Sequence, residues 1–119
     1  MQLVKQLPSR GFHVIAACLK TAPEDLKGME EVEWVTDVDV STEEGSKRLC
    51  DAVGDRNIEV VISNAGTAKH EGKTSVDSMF GHLGDMRYQF EVNTLGHIRV
   101  LHALEKNIPE GGKFIMVRA

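Results

Sequence analysis

The sequence lacks several features that would assign it to a class at once. No apolar run approaches the length of about 18 residues that a membrane-spanning helix needs, and residues 1–6 contain no apolar core of a signal peptide. Only two cysteines occur, Cys18 and Cys50, far apart and without CxxC spacing. These absences favour a soluble protein with reduced, structural thiols in the cytoplasm or another reducing compartment.

Excess positive charge is also missing. The 14 Lys and Arg are outnumbered by 18 Asp and Glu, and the net charge of −4 disfavours a nucleic-acid or anionic-membrane surface. The five histidines form no HExxH motif or Cys/His cluster, so no metal site is expected. Walker and Gly-x-Ser-x-Gly motifs are absent as well, which leaves P-loop and nucleophile-elbow chemistry without support.

What is present is ordinary globular composition, 41% hydrophobic and 27% charged, over a length of 119 residues that predicts a single domain, 1–119. Apolar and β-branched runs predict four strands, at 12–18, 32–40, 58–63 and 113–117. Helices are predicted at 2–7, 22–31, 42–53 and 85–107. The helix at 22–31 has Pro23 in its first turn, and the helix at 42–53 has Ser41 as N-cap with Glu44 at capping-box spacing. Strands separated by helices indicate an α/β fold with a mostly parallel sheet.

The carboxyl ends of the predicted strands hold the candidate binding residues, because such sheets bind ligands at that edge. The third strand runs into Ser63-Asn64-Ala65-Gly66, whose small side chains let a flat ligand approach the backbone while an Asn64 amide holds neighbouring residues. Lys20 follows the first strand and Asp39 the second. Each has a plainer interpretation: a turn after the third strand, solvated surface for Lys20, and a helix entry at Asp39.

A second candidate lies on the long helix. Asn93 shares one predicted face with apolar residues and a histidine, namely Met86, Phe90, His97, Val100, Leu101 and Leu104. Asn is a poor residue for a helix interior, and a buried amide is costly unless its hydrogen bonds are made. Asn93 is therefore either a satisfied core amide or a functional one.

Together these segments resemble the short-chain dehydrogenase/reductase family, most of all its smaller carbonyl-reductase-type branch. The matching segments are Val14-Ile15-Ala16-Ala17-Cys18, Asp39-Val40, Ser63-Asn64-Ala65-Gly66 for the family's Asn-Asn-Ala-Gly, Glu91-Val92-Asn93-Thr94-Leu95-Gly96 for its Asn-containing helix, and 112–117 for the strand before its catalytic serine. The resemblance implies a three-layer Rossmann-like fold, spans nearly the whole chain and covers only the middle of the family domain.

The resemblance also implies roles. Asp39 accepts from the adenine amino group beside the Val40 backbone, and Asn64, Ala65 and Gly66 line the adenosine side of a nicotinamide dinucleotide. No acidic residue follows the strand at 12–18, which corresponds to the family's second strand, and Lys20 there meets a 2′-phosphate, which favours NADP over NAD, although Leu19 stands where the family often has Arg. Asn93 belongs to the Asn-Ser-Tyr-Lys tetrad, where it helps to hold a water in the proton relay.

The chain departs from the family at both ends. It begins after the first strand and the glycine-rich pyrophosphate turn, and Ala119 falls about where the catalytic serine stands. Its one tyrosine, Tyr88, lies upstream of Asn93 and has no Lys four residues later. The expectation is an oxidoreductase for carbonyl or hydroxyl substrates that is inactive as this chain alone and binds the cofactor weakly or not at all. The alternative is a non-catalytic structural or interaction subunit that kept the α/β scaffold.

The missing first strand predicts an unusual sheet. In the family it lies between the strands that correspond to 12–18 and 58–63, so its loss exposes two strand edges. Either these two strands close directly on each other to give one four-stranded sheet, or a strand from a partner chain or oligomer fills the gap. The second arrangement is the favoured one, because direct closure must re-register helix layers packed for a wider sheet.

Overall fold

A computed structural model describes residues 2–67 and 75–117 of the chain. The chain divides into two compact units, Met1–Asp39 and Val40–Ala119. Within the described residues, no helix has the length and apolar character that crossing a membrane requires.

The first unit is built on two parallel strands. Helix α1 (Gln2–Gln6) and a 3₁₀ turn (Pro8–Arg10) precede β1 (Val14–Ala17), and β2 (Val32–Val35) follows after a connection without regular helix. The register places Val14 beside Val32 and Ala17 beside Val35. Valine and isoleucine suit this pleated surface because their branched side chains pack well between neighbours. The buried apolar side chains of the unit are Ala16, Ala22, Leu26, Val32, Val35 and Val38.

The helix predicted at 22–31 is wrong. The segment forms successive tight turns instead, in which Leu26 N donates to Pro23 O and Met29 N donates to Leu26 O. The Trp34 indole Nε1 also donates to Leu26 O, at 3.4 Å. The Leu26 carbonyl is therefore used by a turn and a strand side chain, and no α-helical ladder develops beyond Pro23.

The second unit begins with helix α2 (Glu43–Val53), which confirms the prediction of a helix at 42–53. Its N-cap is Thr42, whose hydroxyl accepts from Gly45 N at 3.1 Å, so the cap predicted at Ser41 is one residue too early. Strands β3 (Val60–Ser63) and β4 (Lys113–Met116) pair in parallel, with Val60 beside Lys113. Helix α2 buries Leu49 and Val53.

A long helical segment connects β3 to β4. After a short helix, α3 (Val76–Phe80), which was not predicted, come α4 (Leu83–Phe90), a π-helical turn (Glu91–Leu95), α5 (Gly96–Leu104) and a 3₁₀ turn (Glu105–Asn107). The helix predicted at 85–107 is confirmed. Its buried amide, Asn107, donates from Nδ2 to Gly54 O and Arg56 O at 2.7 and 2.8 Å, and so joins the end of the helix to the loop before β3.

The single apolar face predicted for this helix is correct only for part of its second half, where Leu101 is exposed. His97, Val100 and Leu104 are buried, whereas Met86 and Phe90 are 43% and 55% exposed. The π turn explains the difference, because each of its hydrogen bonds spans one residue more than in an α-helix. The extra residue shifts the face of α4 relative to that of α5.

The four described strands form two separate two-stranded sheets, β1–β2 and β3–β4, and both pairs are parallel. The predicted α/β class with parallel strands is confirmed. Direct closure of β1 on β3 and the arrangement in which a partner chain fills the gap both stay predictions.

Candidate functional site

The carboxyl end of β3 presents a short exposed segment of small residues. Ser63, the last residue of the strand, is buried, and the next three residues, Asn64, Ala65 and Gly66, are exposed. The strand itself is held by its pairing with β4, which continues through a bond from Val117 N to Ser63 O at 2.9 Å. The segment therefore leaves a fixed strand with its backbone accessible, and its role as a ligand-binding edge stays a prediction.

Asn93 holds the backbone just beyond this segment. Its Oδ1 accepts from Thr67 N and its Nδ2 donates to Thr67 O, both at 2.8 Å. The amide thus pairs with one residue of backbone much as a neighbouring strand does, and both its donor and its acceptor are engaged. A Cβ added to Gly66 would lie 3.5 Å from Oδ1, in ordinary contact, so the segment runs close beside the amide. The proton-relay role of Asn93 stays a prediction.

A buried polar pair lies beneath the same strand end. Ser63 Oγ and His97 Nδ1 are 2.6 Å apart, and the two residues are 4% and 2% exposed. His97 is therefore a core histidine with a polar partner, whereas His102, the other histidine of α5, lies at the surface. Asn93 and His97 are four residues apart in sequence. His97 bonds to Ser63, before the segment 64–66, and Asn93 bonds to Thr67, after it.

Val40 is held by α5 at two points. A Cβ on Gly96 would lie 2.9 Å from Val40 Cγ2, closer than real side chains approach, so only glycine lets Val40 pack there. The Arg99 guanidinium donates from Nη1 to Val40 O at 3.1 Å. Sequence reasoning missed Arg99, although a lone cation between Ile98 and Val100 in the more apolar half of the helix was a readable signal.

Two predicted site residues, Lys20 and Asp39, belong to the first unit. Lys20 is exposed, and Asp39 is half-buried with a polar interaction of its own. Their roles stay predictions. Val40, Ser63 to Thr67 and Asn93 all belong to the second unit, where Asn93 bonds to Thr67 and Val40 packs at Gly96.

One group of the first unit has a shifted ionisation. Burial and, to a smaller extent, the Asp37 carboxylate raise the pKa of the Cys18 thiol above its ordinary value. Asp37 has a left-handed backbone, with φ of 60°. Cys18 is held between the strands, since its N–H donates to Val35 O and its carbonyl accepts from Val38 N. Cys18 and Cys50 are free thiols.

Some predictions concern residues that the structure does not describe. Ala119, at the expected position of the catalytic serine, and His70, one of the five histidines for which no metal site is expected, both lie outside the described ranges. Among residues 2–67 and 75–117, no group of three or more His, Cys, Asp or Glu is arranged to hold a metal ion.

No protein-family model and no curated protein matches the sequence. Solved structures do match. A carbonyl reductase from Pseudomonas aeruginosa aligns with a TM-score of 0.73 at 20% identity, over 96% of this chain and 53% of that one. A serine dehydrogenase from Escherichia coli aligns with a TM-score of 0.68 at 19% identity, over 96% and 53%.

The same Pseudomonas carbonyl reductase in complex with NADP aligns with a TM-score of 0.66 at 19% identity, over 96% of this chain and 53% of that one. The chain therefore has the Rossmann-type α/β fold of the short-chain dehydrogenases and reductases and spans about half the length of the structures that it matches. The resemblance in the motifs is confirmed at the level of the fold.

Proposed function

We propose that this chain is part of a short-chain oxidoreductase and that the end of β3 in its second unit receives the adenosine side of a nicotinamide dinucleotide. The observation that carries the proposal is the pair of 2.8 Å hydrogen bonds between the Asn93 amide and the Thr67 backbone. They fix Thr67, at one end of the exposed segment 64–66, and β3 fixes the other end. A flat ligand can pack on such a segment without the cost of ordering it.

The residues present fit a nucleoside. Asn64, Ala65 and Gly66 are exposed and small, so ring and ribose can approach the backbone, and Val40 is placed firmly by Gly96. When bound, the nicotinamide group supplies hydride transfer to or from a carbonyl or hydroxyl carbon. The preference for NADP rests on Lys20 and on the lack of an acidic residue after β1. It is tested by comparing the affinities of the chain for NADP and for NAD.

The 119-residue polypeptide by itself is proposed to be catalytically inactive. Proton transfer in this class of reaction needs an acid whose pKa is matched to the task. Tyr88, the one tyrosine, is half-buried on α4, and the residue four positions later is Val92. Turnover on carbonyl or hydroxyl substrates is therefore proposed only for a longer polypeptide that supplies a Tyr-Lys pair and a pyrophosphate site.

A non-catalytic interaction subunit is the second candidate, and one observation favours it. Large apolar side chains on α3 and α4 are strongly exposed, with Val76 at 79%, Phe80 at 74% and Phe90 at 55%. Val76 and Phe80 are four residues apart on one short helix, and exposed apolar surface is typical of protein–protein contacts. The intact mass of the native protein separates the two candidates, since a stable 13.1 kDa species supports the subunit and a much larger one the oxidoreductase.

Titration of the 119-residue chain with NADP⁺, followed by amide NMR, tests the cofactor proposal. We expect shifts concentrated at residues 63–67 and a dissociation constant far weaker than low-micromolar. Each missing charge-assisted phosphate contact is worth about 1.5–3 kcal/mol, or roughly tenfold in affinity or more. Uniformly unchanged spectra at millimolar NADP⁺ contradict the proposed site, and low-micromolar binding contradicts the view that the phosphate contacts are lacking.

A further inference from the structure

Arg99 is a half-buried cation on the second half of the long helix. Its side chain is 22% exposed, and its neighbours in sequence are Ile98 and Val100. A cation that has lost most of its water is stable only when hydrogen bonds and opposite charge replace that water. The positions of the hydrogen-bond partners of the guanidinium therefore indicate the role of the Arg99 side chain.

The partners belong to two separate parts of the second unit. Nη2 donates to Glu91 Oε2 at 2.6 Å, and Nη1 donates both to the Glu91 backbone carbonyl, at 3.3 Å, and to Val40 O, at 3.1 Å. Glu91 is the first residue of the π turn that contains Asn93, whereas Val40 precedes α2. The planar guanidinium thus joins the π turn to the Val40 segment through donors in fixed positions. The flexible ammonium group of a lysine would join them less well.

A second observation shows that Val40 itself is placed by the helix. Its Cγ2 occupies the space in which a side chain at Gly96 would stand, with only 2.9 Å between that atom and an ideal Cβ. Gly96 is the first residue of α5 and follows the π turn directly. The side chain of Val40 is therefore fixed by Gly96 and its carbonyl by Arg99.

We propose that Arg99 is a positioning residue for adenosine binding, with the Glu91 carboxylate orienting its guanidinium and Nη1 fixing the Val40 backbone. The proposal deepens the proposed function and rests on it, because Val40 is an adenosine-side residue only in that reading. Arg99 acts through Val40 and does not touch the ligand. Removing it frees the Val40 carbonyl and lets the adenosine side of the site lose its fixed shape.

The experiment measures binding of adenosine 2′,5′-bisphosphate to the 119-residue chain by amide NMR. Arg99→Ala removes the guanidinium, and we expect about tenfold weaker binding, equal to about 1.4 kcal/mol, because the Val40 segment must then be ordered when the ligand binds. The Val40 and Ser41 amides should also exchange faster with solvent. Arg99→Lys keeps the charge and one donor, so part of the affinity should return.

Arg87→Ala is the matched control. Arg87 is an exposed arginine on α4, so its loss changes the net charge equally without touching Val40. We expect its affinity to remain within about twofold of the unmodified chain, the size of a screened surface charge effect. Glu91→Gln removes the ion pair but leaves both carbonyl contacts possible, so its loss of affinity should be smaller than that of Arg99→Ala.

The outcomes separate the two proposals. If the unmodified chain binds the bisphosphate and Arg99→Ala binds it as well as Arg87→Ala does, the positioning role is overturned and the site stands. If the unmodified chain gives no shifts at residues 63–67, the proposed function is overturned, and the positioning role with it. Should Arg99→Ala fail to fold, Arg99→Lys and Glu91→Gln decide by the same comparison.

Discussion

At the scale of single residues, Asn93 makes two side-chain hydrogen bonds to the backbone of one residue, Thr67. Replacing it with Ala leaves the N–H and the carbonyl of Thr67 without their partners, at a cost of about 1–3 kcal/mol in the free energy of unfolding. Urea unfolding measures that loss, and hydrogen exchange at the Thr67 amide locates it. Thr94→Ala, at the exposed next residue, is the control. Equal stability of the two variants contradicts the structural role of the amide.

Two helix glycines should respond to Ala with opposite signs. Gly96→Ala places a methyl 2.9 Å from Val40 Cγ2, so we expect a loss of about 1–3 kcal/mol from overpacking. Gly84 on α4 has nothing within 4 Å of an added Cβ, so Gly84→Ala should raise stability by about 0.5–1 kcal/mol through helix propensity. Thermal unfolding of both variants checks the signs, and destabilisation of equal size contradicts the Val40 contact.

The Cys18 thiol should react slowly at neutral pH. Its raised pKa keeps it protonated, and alkylation proceeds through the thiolate, so its rate should rise as pH approaches that pKa. Asp37→Asn removes a negative charge that disfavours the thiolate, lowers the pKa and should increase the rate at pH 7. Asn also tolerates the left-handed backbone at this position. Mass-resolved iodoacetamide labelling measures the rate, and a slower rate in Asp37→Asn reverses the assignment.

At the scale of elements, sequence periodicity predicted the long helix and its buried second half but not the shift of face in its first half. That shift comes from the π turn at Glu91–Leu95, which is stabilised by contacts distant in sequence, including Arg99 with Val40. The local pattern marks Arg99 as an unusual cation, but it does not show which distant residue Arg99 contacts. The wrong helix at 22–31 has the same origin, because Trp34 takes the Leu26 carbonyl from outside the segment. The exposure of residues 64–66 was predictable, because they directly follow the apolar run of β3 and so leave the sheet at the end of the strand.

The cap of α2 gives a test at the same scale. Thr42→Ala removes the hydroxyl that accepts from Gly45 N and should cost about 1 kcal/mol, whereas Thr42→Ser keeps the acceptor and should cost little. Chemical denaturation of the two variants measures the difference. Equal losses mean that the threonine methyl, and not the cap, stabilises the start of the helix.

At the scale of the whole molecule, the fold was predictable and the arrangement of the strands was not. Alternation of strand and helix patterns predicts parallel pairing, which both sheets show. Pairing between strands that are distant in sequence depends on what lies between them, so the local patterns of β1 and β3 predict two arrangements and do not choose between them.

The 119-residue chain should show no NADPH oxidation with quinones, aldehydes or ketones, because its one tyrosine, Tyr88, has no Lys four residues later. Turnover that disappears in Asn93→Ala contradicts this expectation.

The parallel pairing of β3 with β4 also governs how the chain acquires its structure. Val60 and Lys113 are partners in register but lie nearly half the chain apart, whereas Val14 and Val32 are close in sequence. Long loops close slowly, so β1–β2 can form while β3–β4 must await the entire helical connection. During synthesis β3 leaves the ribosome well before its partner exists, with an apolar edge that invites aggregation. Holding chaperones should raise the yield of native chain, and pulse-labelled amides of β3 should gain protection after those of β1.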